Sequence, residues 1–209
     1  MARNGTGGRR HPPPETDEAR ALRQALRREM RLRRRSLNGF RRQLATRAIV
    51  RRLKMLPAYR GARTVALYWP ADGEPDVRAL APHAEARGKR LFLPVVSHEG
   101  TLRFVPWRPG SSLRRNRYGI PEPVSRRFVA PAKLDLIIAP LVAFDGQGHR
   151  LGMGGGYYDR ALSGRRRHPL LVGAAFSIQE VREIPAMPWD IPLDMVVTER
   201  GLRARGAQR

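Results

Sequence analysis

Six short runs of apolar residues, rich in β-branched and aromatic side chains, set the strongest limit on the fold of this 209-residue chain. Such runs are typical of buried strands, and they are TVALYW (64–69), RLFLPVV (90–96), TLRFVPW (101–107), LDLIIAPLVAF (134–144), LLVGAAF (170–176) and MVVTE (195–199). TLRFVPW alternates like a hairpin partner of the run before it. Because helical segments separate most of the others, the sequence predicts an α/β fold with a largely parallel sheet.

Four helices are predicted. The first begins after a cap at Thr16 or Asp17 and runs to about Arg35, and the second covers residues 40–55, before Pro57. A third covers residues 76–87 and ends at Gly88, and a fourth begins in YYDRALSG.

The first helix is expected to pack through apolar residues that recur at helical spacing. They are Ala19, Leu22, Leu26 and Met30. Its remaining arginines are expected to form a solvated face, and they are Arg28, Arg31, Arg33, Arg34 and Arg35.

Composition limits the class of protein but names no partner. A hydrophobic content of 41% allows one folded domain over residues 16–209, preceded by a disordered, basic, Pro- and Gly-rich tail over residues 1–15. No apolar run of about 18 residues predicts a membrane span, and the absence of cysteine fits a cytoplasmic protein. The net charge of +23 favours polyanions such as nucleic acid, nucleotides or polyglutamate, or else forms a solvated arginine surface.

The stretch FDGQGHRLGMGGGYYDR, residues 144–160, holds six glycines directly after a predicted strand and before a predicted helix. That position is the carboxyl edge of the sheet, where α/β proteins bind ligands and free backbone N–H groups suit phosphate oxygens. The stretch is not a Walker A loop, since no Gly-Lys-Ser/Thr occurs, and Tyr157 stands where G-x-G-x-x-G requires its third glycine. A mobile turn is the alternative.

Flanking side chains favour the ligand site over the mobile turn. Arg150 offers a planar, bidentate donor for phosphate, and Asp159 offers a ligand for a magnesium ion that bridges phosphates. Tyr157 and Tyr158 add flat rings and hydroxyl groups. An anion, a metal ion and a heterocycle therefore find partners within about ten residues.

This stretch resembles the signature of the 5-formyltetrahydrofolate cyclo-ligase family, also called 5,10-methenyltetrahydrofolate synthetases. Further family-like segments follow in the expected order, and together they span roughly residues 20–200: RQALR (23–27), RRRSL (33–37), LPAY, GE (73–74), GKRLFLPVV, YGIPEP, DLIIAPLVAFD and WDIPLDMVVTE. The resemblance implies a three-layer α/β fold with a largely parallel sheet flanked by helices, distantly like the ribose-5-phosphate isomerase and CoA-transferase folds.

The resemblance also implies an activity. Family members use ATP as co-substrate and Mg²⁺ as cofactor to convert 5-formyltetrahydrofolate to 5,10-methenyltetrahydrofolate, with release of ADP and phosphate. A cytoplasmic monomer acting on small molecules is expected, with a folate substrate that could carry a polyglutamate tail. Binding of nucleic acid and of membranes is not expected.

Site residues are carried over from the family by matching positions. Two segments would bind ATP, and they are Arg23, Gln24, Ala25, Leu26 and Arg27, and Arg150, Leu151, Gly152, Met153, Gly154, Gly155, Gly156, Tyr157 and Tyr158. The folate would contact Arg27, Trp69, Glu74, Met153, Gly154, Gly155, Gly156 and Tyr157. Arg150 and Tyr158 are the expected catalytic residues, and Asp159 and Asp190 the expected magnesium ligands. Arg23 replaces a frequent lysine, and a guanidinium has a different reach and geometry.

Two other functions remain open from the residues. The glycine stretch could serve a kinase or ATPase with another acceptor, because it indicates phosphate more strongly than folate. The arginine-rich first helix could bind nucleic acid, although no RNA- or DNA-binding motif occurs and aromatic residues make up only 7%.

Overall fold

A seven-stranded sheet forms the centre of the computed structural model, which describes residues 16–97, 100–125, 127–165 and 169–206. The predicted tail over residues 1–15 lies outside the described residues. The helices are α1 (Asp17–Arg35), α2 (Gly39–Met55), α3 (Pro57–Gly61), α4 (Ala81–Glu85) and α5 (Tyr157–Ala161). The strands are β1 (Thr64–Ala66), β2 (Arg90–Val96), β3 (Leu102–Trp107), β4 (Leu113–Arg115), β5 (Pro121–Pro123), β6 (Leu136–Ala139), β7 (Ala143–Phe144), β8 (Arg150–Leu151), β9 (Leu170–Ala174), β10 (Met195–Val197) and β11 (Leu202–Ala204).

The strand order of the central sheet is β11-β10-β9-β6-β1-β2-β3. Pairs β1–β2, β1–β6, β6–β9 and β9–β10 are parallel, and the edge strands β3 and β11 pair antiparallel with their neighbours. The predicted α/β fold with a largely parallel sheet is confirmed. No helix in the described part of the chain has both the length and the apolar character needed to cross a membrane.

Both faces of the sheet are buried, as a parallel sheet requires. Residues alternate between two apolar clusters, so that Val65 and Ile138 pack on one side while Ala66 and Ile137 pack on the other. The first side is covered by α2, α3 and α4 and the second by α5 and loops, which together give three layers.

Three predicted elements differ from the structure. The run 134–144 is not one strand: β6 ends before Pro140, which cannot donate to a ladder, and the chain then forms a β7–β8 hairpin. The predicted loop over residues 108–133 contains a second hairpin, β4–β5. The predicted helix over residues 76–87 is a 3-10 turn, Val77–Leu80, followed by α4, which has Pro82 in its first turn.

Helix α1 buries only part of the face that was predicted to pack. Leu22 is 49% exposed, and the buried residues are Arg23, Met30 and Arg34. The physical reason is the neighbour: α1 packs against the β7 region and a 3-10 turn at Ser177–Gln179, at the carboxyl edge of the sheet, where carbonyl and carboxylate oxygens accept arginine hydrogen bonds.

The topology places a switch point between β1 and β6. The chain leaves β1 toward β2 on one side of the sheet and returns to β6 on the other side. In open α/β sheets, ligands bind in the crevice beyond the carboxyl ends of the strands at such a point. The segment with Trp69 and Glu74 follows β1, and the glycine stretch follows β6.

Candidate functional site

The loop over residues 152–156 joins β8 to α5 and is shaped by glycine. Gly154 has φ +101° and Gly156, the residue before α5, has φ +62°, conformations that other residues rarely adopt. Residues 153–155 are exposed. Within the described residues, the backbone N–H groups of 152–156 donate to no protein acceptor, so they are available to an anion.

Helix α1 delivers Arg27 to this loop. Its Nε donates to the carbonyl oxygen of Gly152 at 2.9 Å, and a Cβ built on Gly154 would lie 3.7 Å from the Arg27 Cζ. The structure therefore brings Arg27 and the glycine loop together across 125 residues of sequence. Gln24 and Ala25 lie on the exposed side of α1, and Leu26 packs against the small apolar cluster beneath it.

Arg23 is buried and faces Asp190. Its Nη1 and Nη2 donate to the two carboxylate oxygens of Asp190 at 2.6 and 3.2 Å, and Nη1 also donates to the Pro185 carbonyl oxygen. The side chains are 8% and 9% exposed. The expected phosphate-binding arginine and the expected metal ligand are thus paired with each other.

Arg150 and Asp159 form a second pair beside the first. Arg150 Nη2 donates to Asp159 Oδ1 at 2.7 Å, and its Nη1 donates to the Ile191 carbonyl oxygen. The Ile191 N–H donates back to Asp159 Oδ1 at 3.0 Å. Asp159 therefore bonds the residue that follows Asp190 in the chain, and the buried Arg150 holds Asp159 in place.

The donor set fits a magnesium ion held by Asp159 together with phosphate oxygens, because Mg²⁺ commonly takes one or two carboxylates plus phosphates and water. Asp159 is 21% exposed, and its Oδ2 makes no hydrogen bond within the described residues. Asp190 fits less well, since both of its oxygens accept from Arg23. No cluster of three or more metal-ligating side chains occurs among residues 16–97, 100–125, 127–165 and 169–206.

Glu74 and Tyr158 form the buried polar part of the site. Burial raises the pKa of Glu74 to about 7, although Ala71 N–H donates to Oε2 at 3.0 Å and Arg34 lies nearby. Burial, together with the charge of Glu74, also raises the pKa of Tyr158. The Tyr158 hydroxyl is buried without a hydrogen-bond partner among the described residues. Since buried polar atoms are nearly always bonded, this hydroxyl indicates a place for a ligand.

Trp69 is partly buried and borders the core. The Arg78 guanidinium carbon lies 4.0 Å from its ring centroid, and the Trp107 ring meets it edge-on with centroids 6.4 Å apart. Trp69 therefore has a defined orientation at the carboxyl end of β1.

Two further residues reach the site from the β4–β5 hairpin. Arg117 Nη2 donates to the Tyr157 hydroxyl at 2.5 Å, and the hydroxyls of Tyr118 and Tyr157 are hydrogen-bonded. The bond with Tyr118, and then that with Arg117, lowers the pKa of Tyr157. Sequence reasoning did not assign either residue a role, although Tyr118 begins the YGIPEP segment that resembles the family and Arg117 directly precedes it.

Arg28, Arg33 and Arg35 are exposed, as expected for the solvated face of α1. Arg31, Arg34 and Arg35, however, contact Asp72. Arg34 is fully buried, and its Nη2 lies 2.8 Å from Asp72 Oδ2, as does Arg31 Nε. Arg35 pairs with Asp72 Oδ1. The sequence did carry one signal, because Arg23, Arg27 and Arg34 are spaced to lie on one helix face.

The arrangement defines an α/β protein with a candidate anion site at the switch point of its sheet. The model of the 5-formyltetrahydrofolate cyclo-ligase family matches residues 19–199. The chain is 41% identical over 174 residues to 5-formyltetrahydrofolate cyclo-ligase of Escherichia coli, covering 81% of this chain and 96% of that one. The Haemophilus influenzae cyclo-ligase is 37% identical over 177 residues, covering 82% and 94%.

Solved structures agree. The 5,10-methenyltetrahydrofolate synthetase of Aquifex aeolicus superposes with a TM-score of 0.77 at 38% identity, over 90% of this chain and 95% of that chain. That of Mycoplasma pneumoniae gives 0.71 at 26% identity, over 85% and 98%. This chain belongs to the 5-formyltetrahydrofolate cyclo-ligase family.

Proposed function

We propose that the protein converts 5-formyltetrahydrofolate to 5,10-methenyltetrahydrofolate with hydrolysis of ATP to ADP and phosphate, in the presence of Mg²⁺. Family membership supports this reaction. One observation supports this site as the place of the reaction: the glycine loop, Arg27 and the buried Glu74–Tyr158 pair lie together at one switch point. A phosphate cradle and a polar pocket for a heterocycle are thus adjacent.

The nucleotide would bind along the glycine loop. Its phosphates would accept hydrogen bonds from the N–H groups of residues 152–156. The positive charge of Arg27, which already contacts the loop, would attract them. Arg23 would contribute to the same site with the rest of residues 23–27. Asp159, with Asp190, would hold Mg²⁺, and the ion would neutralise phosphate charge when bound.

The folate would occupy the side nearer β1. The Glu74 carboxylate can accept two adjacent N–H donors of the pterin ring, and Trp69 offers an apolar aromatic contact. The Tyr158 hydroxyl, which has no hydrogen-bond partner in the part of the chain that the structure describes, can bond the reacting formyl group. Residues 153–157 would line the boundary between the folate and the nucleotide.

The reaction requires a better leaving group than hydroxide. The formyl oxygen attacks the γ-phosphorus, the bond to the bridging oxygen breaks, and ADP leaves. N10 then bonds to the formyl carbon and loses its proton to solvent, and the C–O bond breaks with release of phosphate. Arg150 holds Asp159 and lies beside Tyr158, with its Cζ 6.0 Å from the ring centroid, so the chain contributes mainly positioning and charge neutralisation.

Absorbance of methenyltetrahydrofolate tests the proposal with purified protein, 5-formyltetrahydrofolate, Mg²⁺, and ATP present or withheld. Product that requires both ATP and Mg²⁺ is expected. Glu74→Gln should reduce use of the folate far more than binding of ATP. Folded protein that binds ATP but forms no product would favour a kinase or ATPase with another acceptor.

We also propose that the enzyme acts as a monomer in the cytoplasm and accepts folates with or without a polyglutamate tail. The net charge of +23 supports attraction of an anionic tail. Mass measurement in solution and a comparison of KM for mono- and polyglutamylated substrate test these points.

A further inference from the structure

A fully buried arginine of α1 joins the turn that carries Glu74. All three nitrogens of the Arg34 guanidinium are bonded: Nε donates to the Asp72 carbonyl oxygen at 2.9 Å, Nη2 to Asp72 Oδ2 at 2.8 Å, and Nη1 to the Leu141 carbonyl oxygen at 3.0 Å. Nη1 also lies 3.7 Å from Glu74 Oε1. Arg34 thereby connects the segment after β1 with the segment after β6.

The turn itself is strained and would not hold its shape unaided. Asp72 has φ +50°, the only positive φ of a non-glycine residue among those described. Arg31 and Arg35 also bind its carboxylate. Glu74 follows two residues later, and its backbone N–H donates to the Ala71 carbonyl oxygen at 3.0 Å, so the conformation at Asp72 determines where its carboxylate points.

We propose that Arg34 is a positioning residue for substrate recognition, which fixes both the orientation and the charge of Glu74. The inference rests on the proposed function, in which the Glu74 carboxylate binds the pterin. Arg34 acts through Glu74 and need not touch the substrate. An apolar side chain at position 34 would leave the folate site present but misdirected, while the glycine loop and Arg27 would still bind ATP.

The two charged neighbours of Glu74 shift its pKa in opposite directions. The positive charge of Arg34 lowers the pKa of Glu74, and the negative charge of Asp72 raises it. Other titratable groups that face this cluster come from the segment after β1, from β8 and from the start of α5, and they are Tyr68, Asp76, Arg150 and Tyr158.

The test compares Arg34→Met and Asp72→Asn with the wild type in the absorbance assay between about pH 6 and 9. With Arg34→Met, the pH midpoint for folate KM should rise by ~1 unit, and KM at neutral pH should increase at least about fivefold through lost ionisation of Glu74. With Asp72→Asn the midpoint should fall. KM for ATP should change less than about twofold in both, since the glycine loop is untouched.

Arg33→Met is the matched control, because Arg33 is exposed on the same helix and, among the described residues, its side chain pairs only with Glu29. Arg34→Lys should restore the midpoint toward the wild-type value, although not the full affinity. If Arg34→Met fails to fold, Asp72→Asn still decides the matter, because its midpoint is expected to fall.

An active wild type whose variants show unchanged midpoints, or equal losses for folate and ATP, overturns the inference. A wild type that forms no product overturns the proposed function and this inference with it.

Discussion

Helices α1 and α2 are both rich in arginine, yet α2 buries apolar residues alone, whereas α1 buries two arginines beside one methionine. Helix α2 packs Ile49, Val50 and Leu53 against the sheet. Helix α1 buries Arg23 and Arg34 and leaves Leu22 and Leu32 exposed.

The neighbours account for the difference. The face of the sheet offers mostly apolar side chains, so burial there follows the hydrophobic effect. The carboxyl edge offers carbonyl and carboxylate oxygens, which would themselves be unsatisfied without arginine donors. Apolar packing on the face of the sheet therefore supplies most of the stability, and the candidate site lies at the carboxyl edge of the sheet.

The largest effect is expected from a substitution at the polar carboxyl edge of the sheet. Arg150→Met removes the donor to Asp159 and to Ile191 and leaves a partly buried carboxylate without its charge partner. We expect unfolding to become easier by about 3–5 kcal/mol. Turnover should fall more than about hundredfold, because the group that positions Asp159 and Tyr158 is lost. Chemical denaturation and kcat in the absorbance assay measure the two effects.

Arg182→Met is the control for this change, since Arg182 is exposed. It should leave stability within ~0.5 kcal/mol of the wild type and turnover unaltered. Normal turnover in Arg150→Met would contradict the importance given to this pair.

The second prediction breaks the apolar face. Leu53 of α2 is fully buried, so Leu53→Ala should lower the free energy of unfolding by about 2–5 kcal/mol. At temperatures where the variant stays folded, kcat/KM should match the wild type, because no site residue moves. Leu44→Ala on the same helix, where Leu44 is 48% exposed, should cost less than ~0.5 kcal/mol. A loss of turnover like that of Arg150→Met would show that the two regions are not separable.

The same contrast explains what the sequence could predict. Strands and the glycine loop have local signals, namely short apolar runs and a glycine cluster. Pro140 was also a visible signal that the run 134–144 could not be one central strand. For α1 the local signal was ambiguous. The shared helix face of Arg23, Arg27 and Arg34 was visible, but Leu22 also has the spacing of a core residue. Only the neighbour of the helix decides that Leu22 stays exposed.

Pairs across the site were also beyond the sequence. Arg34 meets Asp72 across 38 residues, and Arg23 meets Asp190 across 167. Nothing in either segment identifies its partner, because the contact exists only once the switch point brings the two loops together. The resemblance to the family implied roles for Asp190 and Glu74. It gave Arg34 no role, although the family-like segment RRRSL (33–37) contains it, because its donors all serve the protein itself.

A third prediction uses the buried carboxyl group of Glu74. Its pKa is raised from 4.5 to about 7 in the folded protein. The folded state therefore binds a proton more tightly than the unfolded state, and stability falls as pH rises through this window. The loss should total about 3 kcal/mol between about pH 4.5 and 7, while affinity for the folate rises as Glu74 ionises.

Denaturant unfolding at about pH 5 and 8 measures this difference. In Glu74→Gln the drop should be smaller by about the same 3 kcal/mol, because the amide does not titrate. Equal pH slopes in the two proteins would show that Glu74 is not responsible.

The smallest expected effect concerns the backbone of the candidate phosphate loop. Gly154 has φ +101°, so Gly154→Ala should introduce strain of about 1 kcal/mol, equivalent to about a fivefold loss of ATP affinity if the loop shifts to relieve it. Gly39→Ala is the control, because a Cβ there meets nothing within 4 Å and its φ is not positive. That change should be neutral or slightly stabilising. Isothermal titration with ATP measures the affinity of each variant. The phosphate-loop assignment would be contradicted if Gly154→Ala lost stability but both variants bound ATP as tightly as the wild type. The strained loop would then be structural only.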